Sequence, residues 1–258
     1  MPTLGVVILT LNGMKHVAQC VESVKWADRI MVLHVGDGAP AILAGECSCL
    51  VYRRVGSTET LDGLPQEMNT DWILNLWGEE TVDAALRDEL AALCRKPVQR
   101  DLDSYRIPIR SLLMGRWVDG SVWEPSPATR LGRQFSLFPA GWRSGLGNGK
   151  RRIPLLGRGS ICDHTLSELD YGLRQIQNVS DLWARLSQGR SPGSFAMIGS
   201  PLRTFFRLVF RNRALSNGIA GLTVATLAAY ATFLSMAKLW EAQKGKEGKD
   251  HKDRGCDL

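Results

Sequence analysis

Short apolar runs and helical patterns alternate along the first part of the chain. Four runs are almost continuously apolar, as in strands buried on both faces of a parallel sheet: Leu4–Leu11, Ile30–Val35, Cys49–Arg53 and Trp72–Leu76. In Val17–Trp26 and Val82–Cys94, apolar residues recur at helical spacing, which predicts amphipathic helices. This alternation is typical of an α/β fold with a mostly parallel sheet flanked by helices.

Beyond Pro97 the pattern changes to shorter segments separated by Gly and Pro. Three of these segments predict antiparallel strands: Tyr105–Ile109, Met114–Trp123 and Thr129–Phe138. Two longer helical patterns follow: Thr165–Gln188 and Phe195–Phe210. We therefore predict an α/β domain at residues 1–160, a helical region at 161–243 and a disordered, charge-dense tail at 244–258.

The C-terminal region combines positive charge with long apolar segments. Phe195–Phe210 contains Arg203 and Arg207 beside apolar residues, with Arg211 next to it, which is typical of a basic helix at a membrane interface. Ala214–Ala237 has no charged residue and is long enough to cross a hydrocarbon core. Three interpretations stay open for it: a buried or docking helix, an interfacial helix and a true span.

The composition agrees with a globular protein that has a basic surface. Of the 258 residues, 44% are hydrophobic and 22% are charged, which excludes a disordered chain. The net charge of +6 suits an anionic partner, namely nucleic acid, an anionic membrane or the phosphates of a nucleotide. The sequence contains no recognised nucleic-acid-binding motif, so we expect no nucleic-acid partner.

Candidate chemistry lies just after the strand Trp72–Leu76, in the residues W-G-E-E at 77–80. Ligands of α/β sheets bind beyond the carboxyl ends of strands, and carboxylates there are suitable ligands for a hard divalent cation. The alternative is that Glu79 and Glu80 lie in solvent at a helix N-terminus, where the helix dipole favours acidic residues. Trp77 either stacks on a bound base or sugar, or fills the pocket.

An ordered set of short motifs covers nearly the whole chain: V-V-I-L-T-L-N at 6–12, C-V-E-S-V-K-W-A-D at 20–28, D-W-I-L-N-L at 71–76, G-R-W at 115–117, W-E-P at 123–125, R-L at 130–131, His164, and A-K-L-W-E at 237–241. In this order the motifs resemble family 2 glycosyltransferases of the GT-A fold, closest to the bacterial branch that builds the lipopolysaccharide core and related envelope glycans. The resemblance implies a GT-A-like (Rossmann-like) sheet with a helical, membrane-associated C-terminal region.

The same resemblance implies a function. It implies that a sugar is transferred from a nucleotide-sugar donor to a membrane-linked envelope glycan acceptor. It also implies a reaction at the cytoplasmic face of the inner membrane, with the protein attached peripherally or through a single C-terminal span. The membrane surface, the donor and the acceptor are the partners that this function requires.

The resemblance also implies which residues bind the donor. Thr10 and Asn12, at the end of the first strand, fall on positions that line the nucleotide pocket. The strand-two aspartate that holds the base falls on His34, and the next expected aspartate falls near Ala39, with Asp37 as a shifted substitute. His34 either hydrogen-bonds the base or serves as a catalytic base, or it is a strand-end histidine whose hydrogen bonds are satisfied within the protein. The metal-binding D-x-D falls on Trp77-Gly78-Glu79, which leaves Glu79 as the candidate ligand for magnesium or manganese on the diphosphate.

The chain departs from the family at its acidic positions, so two hypotheses follow. In the first, the protein is an active glycosyltransferase that depends little on metal, with arginines stabilising the diphosphate: Arg130, Arg143, Arg151 and Arg152. The alternative for these arginines is a basic face against lipid. In the second, it is a catalytically inactive relative that acts as a binding or scaffolding partner in envelope glycan assembly. No catalytic base is assigned, because the family's His-Glu pair falls on G-W-R-S-G-L at 141–146.

Overall fold

A computed structural model describes residues 1–36, 50–55, 67–96, 103–123, 126–133, 153–186, 193–211 and 218–253. The strands within them are β1 Leu4–Leu11, β2 Arg29–Val35, β3 Leu50–Val55, β4 Trp72–Trp77, β5 Glu80–Val82, β6 Ser104–Ile107, β7 Ile109–Leu113, β8 Arg116–Asp119, β9 Ala128–Gly132 and β10 Ile161–Asp163. The helices are α1 Val17–Val24, α2 Ala84–Cys94, α3 Leu169–Leu186, α4 Ser194–Arg211 and α5 Gly218–Asp253.

The main sheet has six strands in the order β3-β2-β1-β4-β9-β6. β3, β2, β1 and β4 are parallel to their neighbours, whereas β9 is antiparallel to both β4 and β6. Every residue of β1 is buried, as its continuous apolar run predicts for a central strand. The predicted α/β class is therefore confirmed, with a main sheet that is mixed at its β9-β6 edge.

A second sheet has four strands in the order β5-β10-β7-β8. Its strand β5 occupies Glu80–Val82, a segment that the sequence pattern assigned in part to the following helix. The helix α2 instead begins at Ala84, because the Asp83 carboxylate caps it by accepting the Leu86 N–H at 2.7 Å. β10 pairs antiparallel with β5, which places Asp163 directly opposite Glu80.

One hydrophobic core joins the main sheet to helices α1 and α2. Ile8 of β1, Val24 of α1 and Leu86 and Leu90 of α2 are fully buried within it. The chain enters α1 from the end of β1, so the connection at residues 12–16 lies at the edge formed by the carboxyl ends of the parallel strands. This edge also contains the end of β4, and it positions the candidate site.

The described chain divides into two compact units, Met1–Gly172 and Leu173–Leu258. The predicted boundary after residue 160 falls earlier than this division. β10 pairs with β5 and β7, and it therefore belongs to the first unit together with the beginning of α3.

In the second unit, α4 and α5 pack against each other. Leu208 and Val209 of α4 meet Ala225 and Ala228 of α5 in a small apolar cluster. The Thr232 hydroxyl lies 3.4 Å from the Thr204 hydroxyl. Later residues of α4 thus meet earlier residues of α5, so the two helices form an antiparallel hairpin, and the alanines let them approach closely.

Both helices of this hairpin also present large apolar side chains to the outside at helical spacing. On α4 they are Phe195, Ile198, Leu202, Phe206 and Phe210. On α5 they are Ile219, Leu222, Tyr230, Phe233 and Trp240. Large exposed apolar side chains that recur in this way along a helix are typical of a contact with a membrane or another protein.

The helix α5 has the length and composition of a membrane-crossing helix over Gly218–Lys244, a property that core helices of soluble proteins share. The structure is therefore compatible with the predicted membrane association of the C-terminal region. The predicted disordered tail begins at residue 244, but α5 continues to Asp253. Residues 254–258 lie outside the described part of the chain.

Candidate functional site

The candidate site lies where the strand order of the main sheet reverses. β2 and β3 follow β1 on one side, and β4 pairs with β1 on the other. In open parallel sheets, the crevice at such a switch point, beyond the carboxyl ends of the strands, is where ligands bind. The ends of β1 and β4 meet here, since the Gly78 N–H donates to the Leu9 carbonyl at 2.9 Å.

On the β2 side of this edge, three predicted donor-binding residues come together. Thr10 and His34 are opposite each other in the register of β1 and β2, and the Thr10 hydroxyl lies 2.9 Å from His34 Nδ1. His34 Nε2 lies 3.2 Å from Asn12 Oδ1. Burial, followed by the positive charge of Arg54, lowers the pKa of His34. The neutral ring then donates from Nε2 to Asn12 and accepts the Thr10 proton at Nδ1.

Asn12 also lies against the glycine that ends β2. A Cβ atom added at Gly36 would lie 2.2 Å from Asn12 Oδ1, so only glycine leaves room for the Asn12–His34 contact. Asp37, the shifted substitute for the aspartate expected near residue 39, lies outside the described residues. The structure therefore brings Thr10, Asn12 and His34 together and leaves the prediction for Asp37 untested.

On the β4 side, Glu79 forms a second cluster. Its carboxylate is buried, with 1% of the residue exposed. Glu79 Oε1 accepts the Lys15 backbone N–H at 2.8 Å and the Tyr171 hydroxyl, and Oε2 faces His16 Nδ1 in a short contact. Burial and the hydrogen bond to Glu79 raise the pKa of Tyr171, so that its hydroxyl remains a donor. We call this group the His16–Glu79 cluster.

Aromatic rings extend the His16–Glu79 cluster toward solvent. The His164 ring stacks on His16 with centroids 5.2 Å apart, and its Nε2 lies 3.1 Å from the Thr81 hydroxyl. Burial, followed by the charge of His16, lowers the pKa of His164. Trp117 contacts His164 edge-on at 5.5 Å and is 41% exposed. The pairing of the His16 imidazole with a buried carboxylate is an arrangement that general acid–base catalysis uses.

Glu80, the next residue, is also buried but has different partners. Its carboxylate forms a bidentate ion pair with Arg130, with Glu80 Oε1 2.7 Å from Nη2 and Oε2 3.0 Å from Nη1. Glu80 Oε2 also accepts the Trp77 N–H at 2.8 Å. Arg130 Nη1 in turn reaches the Asn75 carbonyl at 3.2 Å. The pair therefore ties β5 to the adjoining strands β4 and β9.

These contacts correct one interpretation of the sequence. The alternative that Glu79 and Glu80 lie in solvent at a helix N-terminus is wrong, because both are buried and α2 begins only at Ala84. The prediction that Arg130 binds a diphosphate stays a prediction, but the partner of Arg130 in the structure is Glu80. The other candidate arginines lie outside the described residues: Arg143, Arg151 and Arg152.

Trp77 fills space rather than facing an open crevice. It is 4% exposed, and its ring packs against Trp123 with centroids 6.0 Å apart. This burial favours the interpretation that Trp77 occupies the volume next to the strand end.

The surroundings of Glu79 do not fit the magnesium or manganese ion that the resemblance implies. Both of its oxygens face N–H or O–H groups, which a cation would have to displace. Among the described residues, no group of three or more His, Cys, Asp or Glu side chains could hold a metal ion. Glu79 is a hydrogen-bond acceptor in this arrangement.

Two residues of the His16–Glu79 cluster were missed by sequence reasoning. His16 had a detectable signal, since it lies between the end of β1 and the start of α1 and hence at the same sheet edge as Glu79. Tyr171 had none, because it is 92 positions from Glu79 and lies in a helix whose polar face looked ordinary. A comparison of the chain with known protein-family models gives no match.

Proposed function

We propose that this protein is a glycosyltransferase of GT-A-like fold that transfers a sugar from a nucleotide-sugar donor to a membrane-linked envelope glycan, without a tightly bound metal ion. The observation that supports it best is the reversal of strand order between β1 and β4, with polar clusters on both sides of the shared strand end. The ordered sequence motifs point to the same class of enzyme. The first argument concerns the first unit alone, whereas the motifs end with A-K-L-W-E at 237–241 in the second unit.

The donor side of the proposal rests on Thr10, Asn12 and His34. Thr10 and His34 are buried, and their hydrogen bonds hold the exposed Asn12 side chain as a polar rim at the end of β1. The Tyr52 ring stacks near His34 with centroids 6.3 Å apart. A nucleotide base needs this combination of polar edges and an aromatic face. The acceptor side is the His16–Glu79 cluster, beside the exposed ring of Trp117.

The membrane-linked acceptor is supported by the second unit. The exposed apolar side chains of α4 and α5, with Arg203 exposed beside them, suit the surface of an anionic bilayer. The proposed location is the cytoplasmic face of the inner membrane, attached peripherally or by one C-terminal span.

Titration calorimetry of the full chain with a panel of nucleotide sugars, with and without Mn²⁺, tests the proposal. We expect one donor to bind with an affinity that Mn²⁺ changes little. Asn12→Ala should weaken that binding about tenfold, because it removes one hydrogen-bonding group at the rim. Asp88→Asn, an exposed change on α2, is the control and should leave the affinity unchanged. Absence of binding to every donor would rule the proposal out.

A second candidate function is a catalytically inactive relative that binds or scaffolds an active transferase. The burial of Trp77 against Trp123 favours it, because the side chain stands at the first position of the family's metal-binding pair. Donor binding without sugar transfer or donor hydrolysis supports this candidate. Turnover that exceeds the uncatalysed rate excludes it.

A further inference from the structure

We infer that His16 is the general base that removes the proton from the acceptor hydroxyl, with Glu79 as the residue that positions it. This inference rests on the proposed glycosyl transfer and assigns a role that the sequence motifs leave without a residue. It requires no metal ion at the strand end.

The contact between the two side chains fixes which ring nitrogen is basic. His16 Nδ1 faces Glu79 Oε2, and an ionised carboxylate can only accept hydrogen bonds. Nδ1 of the neutral ring is therefore the donor, and the lone pair that can accept a proton lies on Nε2. A carboxylate that holds an imidazole in this tautomer also stabilises the imidazolium formed after proton transfer.

Glu79 is itself held in place from two other directions. The Lys15 N–H and the Tyr171 hydroxyl both reach Oε1, so that only Oε2 is left for His16. The preceding residue, Gly78, is closely surrounded, since an added Cβ would lie 3.0 Å from both Met14 Sδ and Thr10 Cγ2. The carboxylate therefore has one orientation, which catalysis by a positioned base requires.

His16 differs in its accessibility from the other histidine at this edge. The His34 ring is 2% exposed and both of its nitrogens contact protein side chains. The His16 side chain is 20% exposed, and within the described residues its ring contacts are Glu79, His164 and Tyr171. None of these is a hydrogen bond to Nε2. Among the described residues, Nε2 of His16 is therefore left for an incoming hydroxyl, whereas both ring nitrogens of His34 have protein partners.

The position of His16 suits the reaction. It follows β1 by a short connection that starts at Asn12, so base and donor rim share one strand end. In the proposed step the acceptor O–H proton moves to His16 Nε2 as the acceptor oxygen bonds to the anomeric carbon of the donor sugar. The bond from that carbon to the phosphate oxygen breaks, and the nucleotide diphosphate leaves with the electron pair. The proton then passes from the imidazolium to solvent.

Nuclear magnetic resonance of the full chain with ¹⁵N-labelled histidine tests the arrangement without any substrate. At about pH 8.5, two units above the usual histidine pKa, the neutral tautomers are resolved. His16, assigned by loss of its signals in His16→Gln, should be the Nδ1–H form. In Glu79→Gln the amide carbonyl keeps the Lys15 and Tyr171 donors and the amide N–H faces His16, so the ring should change to the Nε2–H form. A wild-type Nε2–H form, or no change in Glu79→Gln, overturns the inference.

Transfer kinetics with the donor found by calorimetry then test the role. His16→Gln should lower the transfer rate by about 100- to 10,000-fold, the usual range for a lost general base, with the donor affinity unchanged within about twofold. Glu22→Gln, the same chemical change as Glu79→Gln at an exposed position of α1, is the control and should transfer at the wild-type rate.

The outcomes separate the two proposals. If the wild type transfers sugar and His16→Gln keeps more than about a tenth of its rate, the assignment of His16 is overturned and the glycosyltransferase proposal stands. If the wild type binds a donor but transfers no sugar to any acceptor, both are overturned and the inactive relative is supported. Rescue of His16→Gly by added imidazole supports the assignment.

Discussion

The two neighbouring carboxylates Glu79 and Glu80 are equally buried, but their surroundings differ in kind. Glu80 faces Arg130, whose guanidinium always keeps its charge, and the pair joins strands of the main and second sheets. Glu79 faces a backbone N–H, a phenol and an imidazole, of which the imidazole is partly exposed. The comparison teaches that burial alone does not separate structural from functional carboxylates. The partners do, because Glu80 is paired with a permanently charged guanidinium, whereas one partner of Glu79 is an imidazole, a side chain that serves as a general base in many enzymes.

The largest effect on stability should follow from breaking the ion pair between Glu80 and Arg130. Arg130→Met leaves the Glu80 charge buried without its partner, and we expect a loss of about 3–5 kcal/mol in the free energy of unfolding of the first unit. Replacing both partners, in Glu80→Leu/Arg130→Met, should recover most of the loss because no uncompensated charge remains. Urea denaturation measures both.

The exposed pair Arg53–Glu67 provides the control for this experiment. Arg53→Met should change the free energy of unfolding by about 0–1 kcal/mol, as expected for a solvated ion pair. A loss below about 1 kcal/mol in Arg130→Met would show that Glu80 is not held by its ion pair and would remove the contrast with Glu79.

A smaller effect is expected on the Glu79 side. Tyr171→Phe removes one hydrogen bond, but the carboxylate keeps the Lys15 N–H and His16, so we expect a loss of about 1 kcal/mol. Tyr105→Phe, at a half-buried tyrosine of the first unit, is the matched control and should change stability by less than about 0.5 kcal/mol. A loss as large as that of Arg130→Met would make Glu79 a structural carboxylate like Glu80.

The smallest effect is a dependence of stability on pH, which the Glu79 side should show and the Glu80–Arg130 pair should not. The pKa of His164 is lowered by burial and by the charge of His16, whereas its unfolded value is about 6.5. The unfolded chain then binds the proton first, so the stability present above about pH 6.5 is lost as the pH falls toward the folded pKa. His34 contributes with the same sign, because burial and Arg54 lower its pKa too.

Thermal denaturation between about pH 5 and 8, a range centred on the usual histidine pKa, measures this dependence. In His164→Gln the melting temperature should decrease less than in the wild type as the pH falls. The decrease that remains is caused by His34 and other titrating groups. The double variant Glu80→Leu/Arg130→Met should keep the wild-type slope, since an arginine does not titrate in this range. An unchanged slope in His164→Gln would contradict the assignment.

Much of the fold of the first unit follows from local patterns in the sequence. The apolar runs predicted β1, β2 and β4 within a residue at each end, because a strand buried on both faces leaves an unbroken signal. β5 was missed, since its three residues are too few to show a period and begin with a glutamate. The buried position of that glutamate depends on Arg130, which lies 50 positions away in the chain.

The candidate site was predictable only where its contacts follow the strand register. Thr10 and His34 could be placed together because both end parallel neighbouring strands. Glu79 was correctly placed at the sheet edge but with the wrong surroundings, because its partners His16 and Tyr171 are 63 and 92 positions away. No periodic pattern records such distant pairings. The sequence therefore indicated the sheet edge but not the hydrogen bonds that decide the chemistry there.

The length of α5 has a consequence for how the protein meets a bilayer. Its uncharged part runs from Gly218 to Ala237 and is about 30 Å long, which equals the thickness of a typical hydrocarbon core. A crossing α5 would therefore match a bilayer of that thickness and would tilt in a thinner one, so its orientation would depend on the length of the lipid acyl chains. A helix lying along the interface does not have to match this thickness. Bilayer thickness is thus a variable to which a crossing α5 responds and an interfacial α5 does not.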